Sequence, residues 1–450
     1  MKSNSLLFLV VFLLGILHLK AQQKTSLSLH DAVAMALDKS DEVGLAMTRV
    51  NTKDFELQAV KNNRYPDLKV SGQYLRLTNA KIDMKNKANS SGSQNMSSQS
   101  SGSLKVNELI LGQANLNLPL FSGFKLRNLI AASENLHQAE IANANYTKEE
   151  TAMKVVQYYA DLYKAQKSVA LLKENLKSGQ QRVVDFQALE QNGIIARNDF
   201  LKSQLQVSKI QLSLDEAEKN VKLLNYYLIT LLKLTPETQI EVSPSNIDPN
   251  LFSYTVQTQA QALESRKDLE AVRFLSKATT SNIKVAIAGY YPGISFVSGF
   301  TALNLQNVVT VENAVNVGVG LTYNLSSIFK NGKEVKAAKS KAVEVEKQQA
   351  LLTDNIKFEI TQAREEYALS LKQDQVYSDA VAQATENYRI VKDKYDNGLS
   401  DTNDLLEADV EQLGAQINQA YAKANVALKY YILLNSSGQL IQSFKLAKNQ

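Results

Sequence analysis

The chain has 450 residues, of which 44% are hydrophobic, and a formal net charge of +5. This length and apolar content are enough for a sizeable core, and the small net charge predicts no nucleic-acid-binding surface. The absence of cysteine excludes disulfides and cysteine-based metal sites, and three histidines are a poor basis for a histidine-rich metal site or a Ser–His–Asp triad. We therefore predict that the chain is not an enzyme, has no catalytic residues and binds no metal or cofactor.

Residues 1–21 have the pattern of a secretory signal peptide. Lys2 precedes an apolar run from Leu6 to Leu17, and Ala21 offers a small residue for cleavage. The run is shorter than the roughly 20 residues that cross a bilayer as a helix. We therefore expect residues 1–21 to be removed and the mature chain to leave the cytoplasm. No later segment has the length and apolarity of a transmembrane helix.

Two copies of one unit make up most of the remaining chain. Tyr65-Pro66 recurs as Tyr291-Pro292, and Asn192-Gly193 recurs 205 residues later as Asn397-Gly398. The proposed boundaries are 22–235 for the first copy, 236–253 for a proline-containing linker, 254–436 for the second copy and 437–450 for a C-terminal tail. The first copy also contains a segment at 86–103 that is rich in Ser, Gly, Asn and Gln, which predicts a flexible loop.

Each copy contains one predicted β-hairpin. In the clearest strand, 315–325, small polar residues alternate with apolar ones, namely Val315, Val317, Val319, Leu321, Tyr323 and Leu325. The length of this strand matches a tilted strand that crosses a bilayer, so we assign these six side chains to a lipid-facing surface. The corresponding alternation in the first copy, from Leu116 to Leu120, is weaker. Periodicity alone would also fit a half-buried hairpin in a soluble domain.

A very long helix is predicted after each hairpin. Residues 125–190 contain no proline, and apolar residues recur there at heptad spacing, which is typical of a coiled coil. The same seam recurs 205 residues later, where Asp374 interrupts it. A helix of this length is about 100 Å long, more than a compact soluble domain needs. Each long helix is expected to end at its Asn-Gly turn, and the next helix to begin near Asp199 or Asp404.

The duplicated unit, the Leu118–Gly123 junction before the first long helix and the two tip motifs that begin at Asn192 and Asn397 resemble the TolC family of outer-membrane efflux proteins. The resemblance covers nearly the whole mature chain. It implies a mainly α fold with membrane β-strands, in which two tandem repeats of long coiled-coil helices and a β-hairpin trimerise. The trimer would form a 12-stranded β-barrel and an α-helical periplasmic barrel. The second junction, Leu325–Phe329, lacks the Pro and the Phe-Ser-Gly of the first.

The function implied by the resemblance is the outer-membrane channel component of a tripartite efflux or type I secretion system. Such a component is a passive trimeric conduit in the cell outer membrane, gated at its periplasmic tip. The implied partners are a periplasmic adaptor (membrane fusion) protein, an inner-membrane pump, membrane lipid and lipopolysaccharide. The alternative is a periplasmic coiled-coil scaffold or adaptor without a pore. This alternative explains the heptads but leaves the apolar strand face without a membrane.

The resemblance also implies two groups of site residues. Asp404 and Glu407 match two acidic residues that ring the periplasmic entrance of TolC-like channels, and stacked carboxylate rings favour cations. The tip turns, implied to dock the adaptor, comprise Asn192, Gly193, Asp199, Asn397, Gly398 and Asp401. In the first copy Lys202 occupies the position that matches Glu407. A simpler interpretation is that Asp404 only caps its helix and that Glu407 is solvated.

Overall fold

The computed structural model describes residues 24–82, 104–242 and 257–444. The signal peptide (1–21), the loop at 86–103 and parts of the linker and tail (243–253 and 445–450) lie outside the described residues. The described chain is mainly helical and divides into two compact units. One unit runs to Val50 and includes Ala139–Val272 and the residues from Gln348 onward. The other comprises Asn51–Gln138 and Arg273–Lys347.

Both halves of the chain show the predicted order of helix, two strands, very long helix and second long helix. The first half contains β1 (Lys24–Leu27), α1 (Leu29–Lys39), α2 (Asp41–Asn62), β2 (Asp67–Ile82), β3 (Leu104–Phe121), α3 (Lys125–Gln191), α4 (Arg197–Leu231) and β4 (Gln239–Val242). The second half contains α5 (Gln259–Ser265), α6 (Lys267–Ala288), β5 (Gly293–Leu305), β6 (Val309–Thr322), α7 (Ser327–Asp396), α8 (Thr402–Ser436) and α9 (Leu440–Ser443).

The two longest helices have 67 residues in α3 and 70 in α7, so each is about 100 Å long. The predicted seam residues of α3, from Val155 to Phe186, are all buried or half-buried. Leu172 of this seam packs against Ile210 and Leu214 of α4, and residues of α8 cover the same cluster. The heptad seam is therefore a packing surface, as predicted. None of the described helices is long and apolar enough to cross a membrane.

A small parallel sheet of β1 and β4 lies in the main core of the first unit and was not predicted from the sequence. Strand β4 falls inside 236–253, the segment predicted to be a linker. Two side-chain amides cover its outer edge. Gln166 donates to the carbonyl oxygen of Ile240 at 2.7 Å and accepts from the N–H of Val242 at 3.2 Å. Asn225 accepts from the N–H of Ile240 at 2.8 Å, so this edge is not open to a further strand.

The described part of the C-terminal tail proposed at 437–450 is packed against the first unit. Helix α9 lies within it, and Leu440 is fully buried in the main core. The ring of Phe444 stacks on the ring of Tyr431 of α8. The residues that follow α8 are therefore part of the packed first unit.

The second unit contains a four-stranded sheet with the order β2-β3-β5-β6 and antiparallel neighbours throughout. Strands β2 and β6 are its two edges. The strand predicted at 315–325 is shifted, because β6 begins at Val309 and ends at Thr322. Tyr323 and Leu325 therefore follow the strand, which corrects their assignment to it. The strand ends there because Asn324 forms a turn, in which its Oδ1 accepts the N–H of Ser326 at 3.1 Å.

The strand register places the side chains of this sheet on two distinct faces, because directly opposite residues share a face. One face carries apolar side chains from all four strands, namely Leu68, Val70, Tyr74, Ile110, Leu116, Leu118, Ile294, Phe296, Phe300, Val315, Val317, Val319 and Leu321. The four residues of β6 in this list, from Val315 to Leu321, are between 67% and 71% exposed. The opposite face contains the row Lys69–Asn115–Gly299–Asn316. A Cβ atom at Gly299 would lie 2.7 Å from Oδ1 of Asn316, so a larger residue there would require the Asn316 side chain to shift.

Candidate functional site at the interhelical turns

The two Asn-Gly turns have the same geometry, as their duplication in the sequence predicts. Gly193 and Gly398 have φ angles of +73° and +72°, in the left-handed region that glycine adopts without strain. The side-chain amides of Asn192 and Asn397 each donate to the carbonyl oxygen four residues earlier, at 2.7 Å in both turns. The long helices α3 and α7 therefore end in closely similar caps.

An exposed apolar residue follows the glycine in both turns. Ile194 is 68% exposed and Leu399 is 78% exposed. The N–H of each donates back to a carbonyl oxygen of the preceding helix, to Leu189 at 2.9 Å and to Lys394 at 2.8 Å. The turn backbone is thus fixed while the apolar side chain is left uncovered in the single chain.

The start of α8 is capped by Asp401. Its Oδ1 accepts the N–H groups of Asn403 at 2.8 Å and Asp404 at 3.0 Å. The interpretation that Asp404 caps this helix is therefore wrong, because the helix begins two residues before it. Asp404 lies in the first turn, where its carboxylate accepts a hydrogen bond from the hydroxyl of Ser400 at 2.7 Å. A carboxylate in the first turn is also favoured by the helix dipole.

Asp404 and Glu407 are both exposed and lie one helical turn apart on α8. The opposite side of the same turn is buried, because Leu405 packs in an apolar cluster with Phe186 of α3 and Phe200 of α4. This packing fixes which side of α8 presents the two carboxylates. The structure of the single chain thus brings the two predicted aperture residues together.

The start of α4 differs from that of α8. The residue before it, Ala196, has no side-chain cap, and Asp199 lies in the first turn. The carboxylate of Asp199 is 3.4 Å from Nζ of Lys202, which in turn donates to Oδ1 of Asn403 at 2.9 Å. The two helix starts are therefore directly connected by the side chain of Lys202.

A buried polar cluster close to these turns was not predicted from the sequence. Nη1 of Arg182 (α3) lies 2.9 Å from Oδ2 of Asp409 (α8), and these side chains are only 11% and 5% exposed. Nη2 of Arg182 donates to the hydroxyl of Tyr388 (α7) at 3.2 Å, and Asn175 donates to the second oxygen of Asp409 at 3.3 Å. Burial alone would lower the pKa of Arg182, but its hydrogen bond and charge interaction with Asp409 raise that pKa. No local sequence signal connects residues so far apart in the chain.

No group of three or more His, Cys, Asp or Glu residues in the described ranges is placed to hold a metal ion. The turns and the helix starts beside them present exposed carboxylates, basic side chains that include Lys202 and Arg197, and two apolar side chains on fixed caps.

A profile of the outer membrane efflux protein family matches residues 32–232 and 259–439. The chain belongs to this family. This outer membrane efflux protein is 22% identical over 329 residues to outer membrane efflux protein BepC of Brucella suis biovar 1 (strain 1330), a match that covers 72% of this chain and 71% of BepC. The family is one of outer-membrane channel proteins.

Solved structures of outer-membrane proteins share the fold of this family member. The outer-membrane channel OprN superimposes with a TM-score of 0.79 at 18% identity, over 91% of this chain and 90% of OprN. The outer membrane protein VceC of Vibrio cholerae superimposes with a TM-score of 0.76 at 16% identity, over 91% of this chain and 96% of VceC. At these identities the likeness shows the fold alone.

Proposed function

We propose that this efflux protein is the outer-membrane channel component of a tripartite efflux or type I secretion system, and that it acts as a passive trimeric conduit gated at its periplasmic tip. The observation that carries the proposal is the four-stranded sheet, which has an exposed apolar face and two edge strands. Exposed apolar area of this extent is unusual for a soluble monomer and typical of a surface that contacts lipid or another chain.

Three copies of this sheet can close into one barrel. Because the four strands alternate in direction, β6 of one copy can pair antiparallel with β2 of the next. Closure of three copies gives 12 strands and leaves no free edge. The apolar face, with Val315, Val317, Val319 and Leu321, would then contact lipid and lipopolysaccharide. Tyr323 and Leu325, which follow β6, would contact the membrane interface.

The polar face of the sheet fits the interior of such a barrel. Asn115 and Asn316 lie on this face on either side of Gly299, and small or polar side chains are suited to a water-filled lumen. In this arrangement the barrel lies in the outer membrane and the long helices extend into the periplasm.

The interhelical turns are proposed as the periplasmic tip. Three copies of Asp404 and Glu407 would form two stacked carboxylate rings at the aperture, which would attract cations. The tip turns, with Asn192, Gly193, Asp199, Asn397, Gly398 and Asp401, would dock the periplasmic adaptor that links the channel to an inner-membrane pump. In support, both glycine turns hold an exposed apolar side chain, Ile194 or Leu399, on a fixed backbone. Asp401 would contribute by fixing its turn, because its carboxylate is engaged as the helix cap.

Conductance of the purified protein in planar bilayers tests this proposal. The wild type should form cation-selective channels that multivalent cations block, and replacing both Asp404 and Glu407 by alanine should change the conductance and weaken the block, because the carboxylates that attract cations are removed. Glu216→Ala, which removes an exposed carboxylate of α4, is the matched control and should leave both unchanged. Equal conductance and equal block in wild type and double variant would contradict the carboxylate aperture.

The alternative of a scaffold without a pore is tested by fractionation. A lipid-embedded sheet requires detergent for extraction from membranes, whereas a periplasmic coiled-coil protein is released by osmotic shock. Release without detergent would favour the scaffold.

A further inference from the structure

Lys202 and Glu407 occupy matching positions in the two copies. The offset of 205 residues that relates the two Asn-Gly turns also relates Asp199 to Asp404 and Lys202 to Glu407. Each pair has the spacing that places both side chains on one side of a first helical turn. The first copy thus presents an acid and a base where the second copy presents two acids.

The ammonium group of Lys202 is held beside the second copy. Nζ of Lys202 donates to Oδ1 of Asn403 at 2.9 Å, and Asn403 directly precedes Asp404 in the chain. The same Nζ lies 3.4 Å from Oδ1 of Asp199. The Lys202 side chain remains 41% exposed, so its charge also acts on the surrounding solvent. A positive charge is therefore anchored at Asn403, the residue that precedes the first of the two proposed aperture carboxylates.

We infer that Lys202 is a specificity-determining residue of the aperture, which lowers its preference for cations and keeps it passable for solutes with anionic groups. This inference rests on the proposed channel function. Of the four charges that the matched positions present in each chain, three are negative and Lys202 is positive. Three copies of Lys202 would weaken the field of the carboxylate rings without removing them. Aperture charge sets the ion preference of a narrow pore, so the conduit is suited to amphoteric and anionic cargo as well as to cations.

The test compares the ion preference of Lys202→Gln, Lys202→Glu and wild-type channels in planar bilayers. Glutamine removes the charge and keeps an amide that can donate to Asn403. Three unit charges removed at roughly 10 Å from the permeating ion should raise the potassium-to-chloride permeability ratio about two- to fivefold in 0.1 M salt, where the Debye length is about 10 Å. Lys202→Glu should raise the ratio further, and both effects should shrink in 1 M salt, where the Debye length is about 3 Å. Lys209→Gln, an exposed lysine two turns further along α4, is the control and should match wild type.

Two further variants, Asp404→Asn and Glu407→Gln, separate this inference from the proposed function. If they lower the permeability ratio while Lys202→Gln leaves it at the wild-type value, the inference is overturned and the acidic aperture stands. If none of the variants changes the ratio, the aperture itself is overturned. If Lys202→Gln and Lys202→Glu change only how often the channel opens, and not its ion preference, Lys202 is a tether between the two helix starts and the inference is again overturned.

Discussion

Glu149 on α3 is a carboxyl group whose protonation is strongly altered by folding. Burial raises the pKa of Glu149 to about 7, although the N–H of Ile441, Lys267 and Arg266 all act to lower it, and Glu150 adds to the increase. Its Oε2 accepts the N–H of Ile441 in α9 at 3.1 Å. This carboxyl group therefore connects α3 to the C-terminal segment.

The sign of the pH effect follows from the direction of this pKa change. The folded state holds a proton that the unfolded chain releases near its ordinary pKa of 4.5. The stability associated with Glu149 is therefore greatest below about pH 4.5, falls as the pH rises towards 7 and is constant above that. Burial of the ionised carboxylate therefore makes the folded state less stable at neutral pH than at acidic pH, although the N–H of Ile441 partly offsets this loss.

Replacing Glu149 by glutamine should remove this penalty, because the amide oxygen can still accept the N–H of Ile441 and carries no charge. We expect Glu149→Gln to be about 3 kcal/mol more stable than wild type at pH 8 and equal to it at pH 4. Unfolding of the detergent-solubilised protein at pH 4, 6 and 8 measures the difference. Glu174→Gln, an exposed carboxylate on the same helix, is the control. A difference from wild type that does not vary with pH would refute the role of Glu149.

At the residue scale, the sequence predicts what is encoded locally. Asn-Gly specifies its left-handed turn within two residues, so the turns at Gly193 and Gly398 were predicted correctly. The cap of α8 was assigned wrongly, because Asp401 and Asp404 stand close together and the choice between them depends on where the helix begins. The partner of Lys202, residue Asn403, lies in the other copy, and no local pattern indicates it.

The buried pair of Arg182 and Asp409 acts at the scale of whole helices, because it joins α3 to α8 and, through Tyr388, to α7. Both charges are largely removed from water, so each needs the other as its counter-charge in the folded state. The pair also fixes how these helices are aligned along their lengths, since a shift of one turn would separate the two charges.

Removing one partner of this pair should strongly lower the free energy of unfolding. We expect Arg182→Ala to lose about 3–5 kcal/mol of unfolding free energy, because Asp409 would remain buried without its counter-charge. The double variant Arg182→Met with Asp409→Leu should recover most of this loss, because it leaves no buried charge. The free energies of unfolding of wild type, Arg182→Met, Asp409→Leu and the double variant, measured in denaturant, give the coupling energy. Lys173→Ala, which breaks the exposed Lys173–Glu218 pair, is the matched control and should cost less than about 1 kcal/mol. An Arg182→Ala loss no larger than this control would contradict the coupling.

At the element scale, length and periodicity decide what the sequence can predict. Helix α3 was predicted to within a residue at its C-terminal end, because a long proline-free heptad pattern has few alternatives. Strands β1 and β4 have four residues each and pair across most of the first half of the chain, so neither shows a periodicity of its own. The apolar alternation continues past Thr322, the last residue of β6. The end of this strand is set by the turn at Asn324 and not by hydrophobicity.

At the scale of the whole molecule, the sheet is the part that a single chain leaves incomplete. Its apolar face is uncovered within the described residues, and β2 and β6 have no further strand beside them there. Pairing of β6 with β2 of another copy would satisfy both edges. A head-to-tail contact of this kind either closes into a ring or continues into a filament, so the number of copies is a testable property.

Disulfide cross-linking measures this number directly, because the natural chain contains no cysteine. Val317→Cys on β6 is combined in one chain with Leu68→Cys, Val70→Cys or Gly72→Cys on β2, positions on the same sheet face. Within one sheet these strands are three strand spacings apart, about 14 Å, whereas a disulfide needs Cα atoms within about 7 Å. Oxidation can therefore link only different copies, and at least one pair should give a ladder that ends at three chains. Leu116→Cys with Ser298→Cys, directly opposite on β3 and β5, is the control and should form a disulfide within one chain. Only monomers for all three pairs, or a ladder that continues beyond three chains, would show that the edges do not close as a trimer.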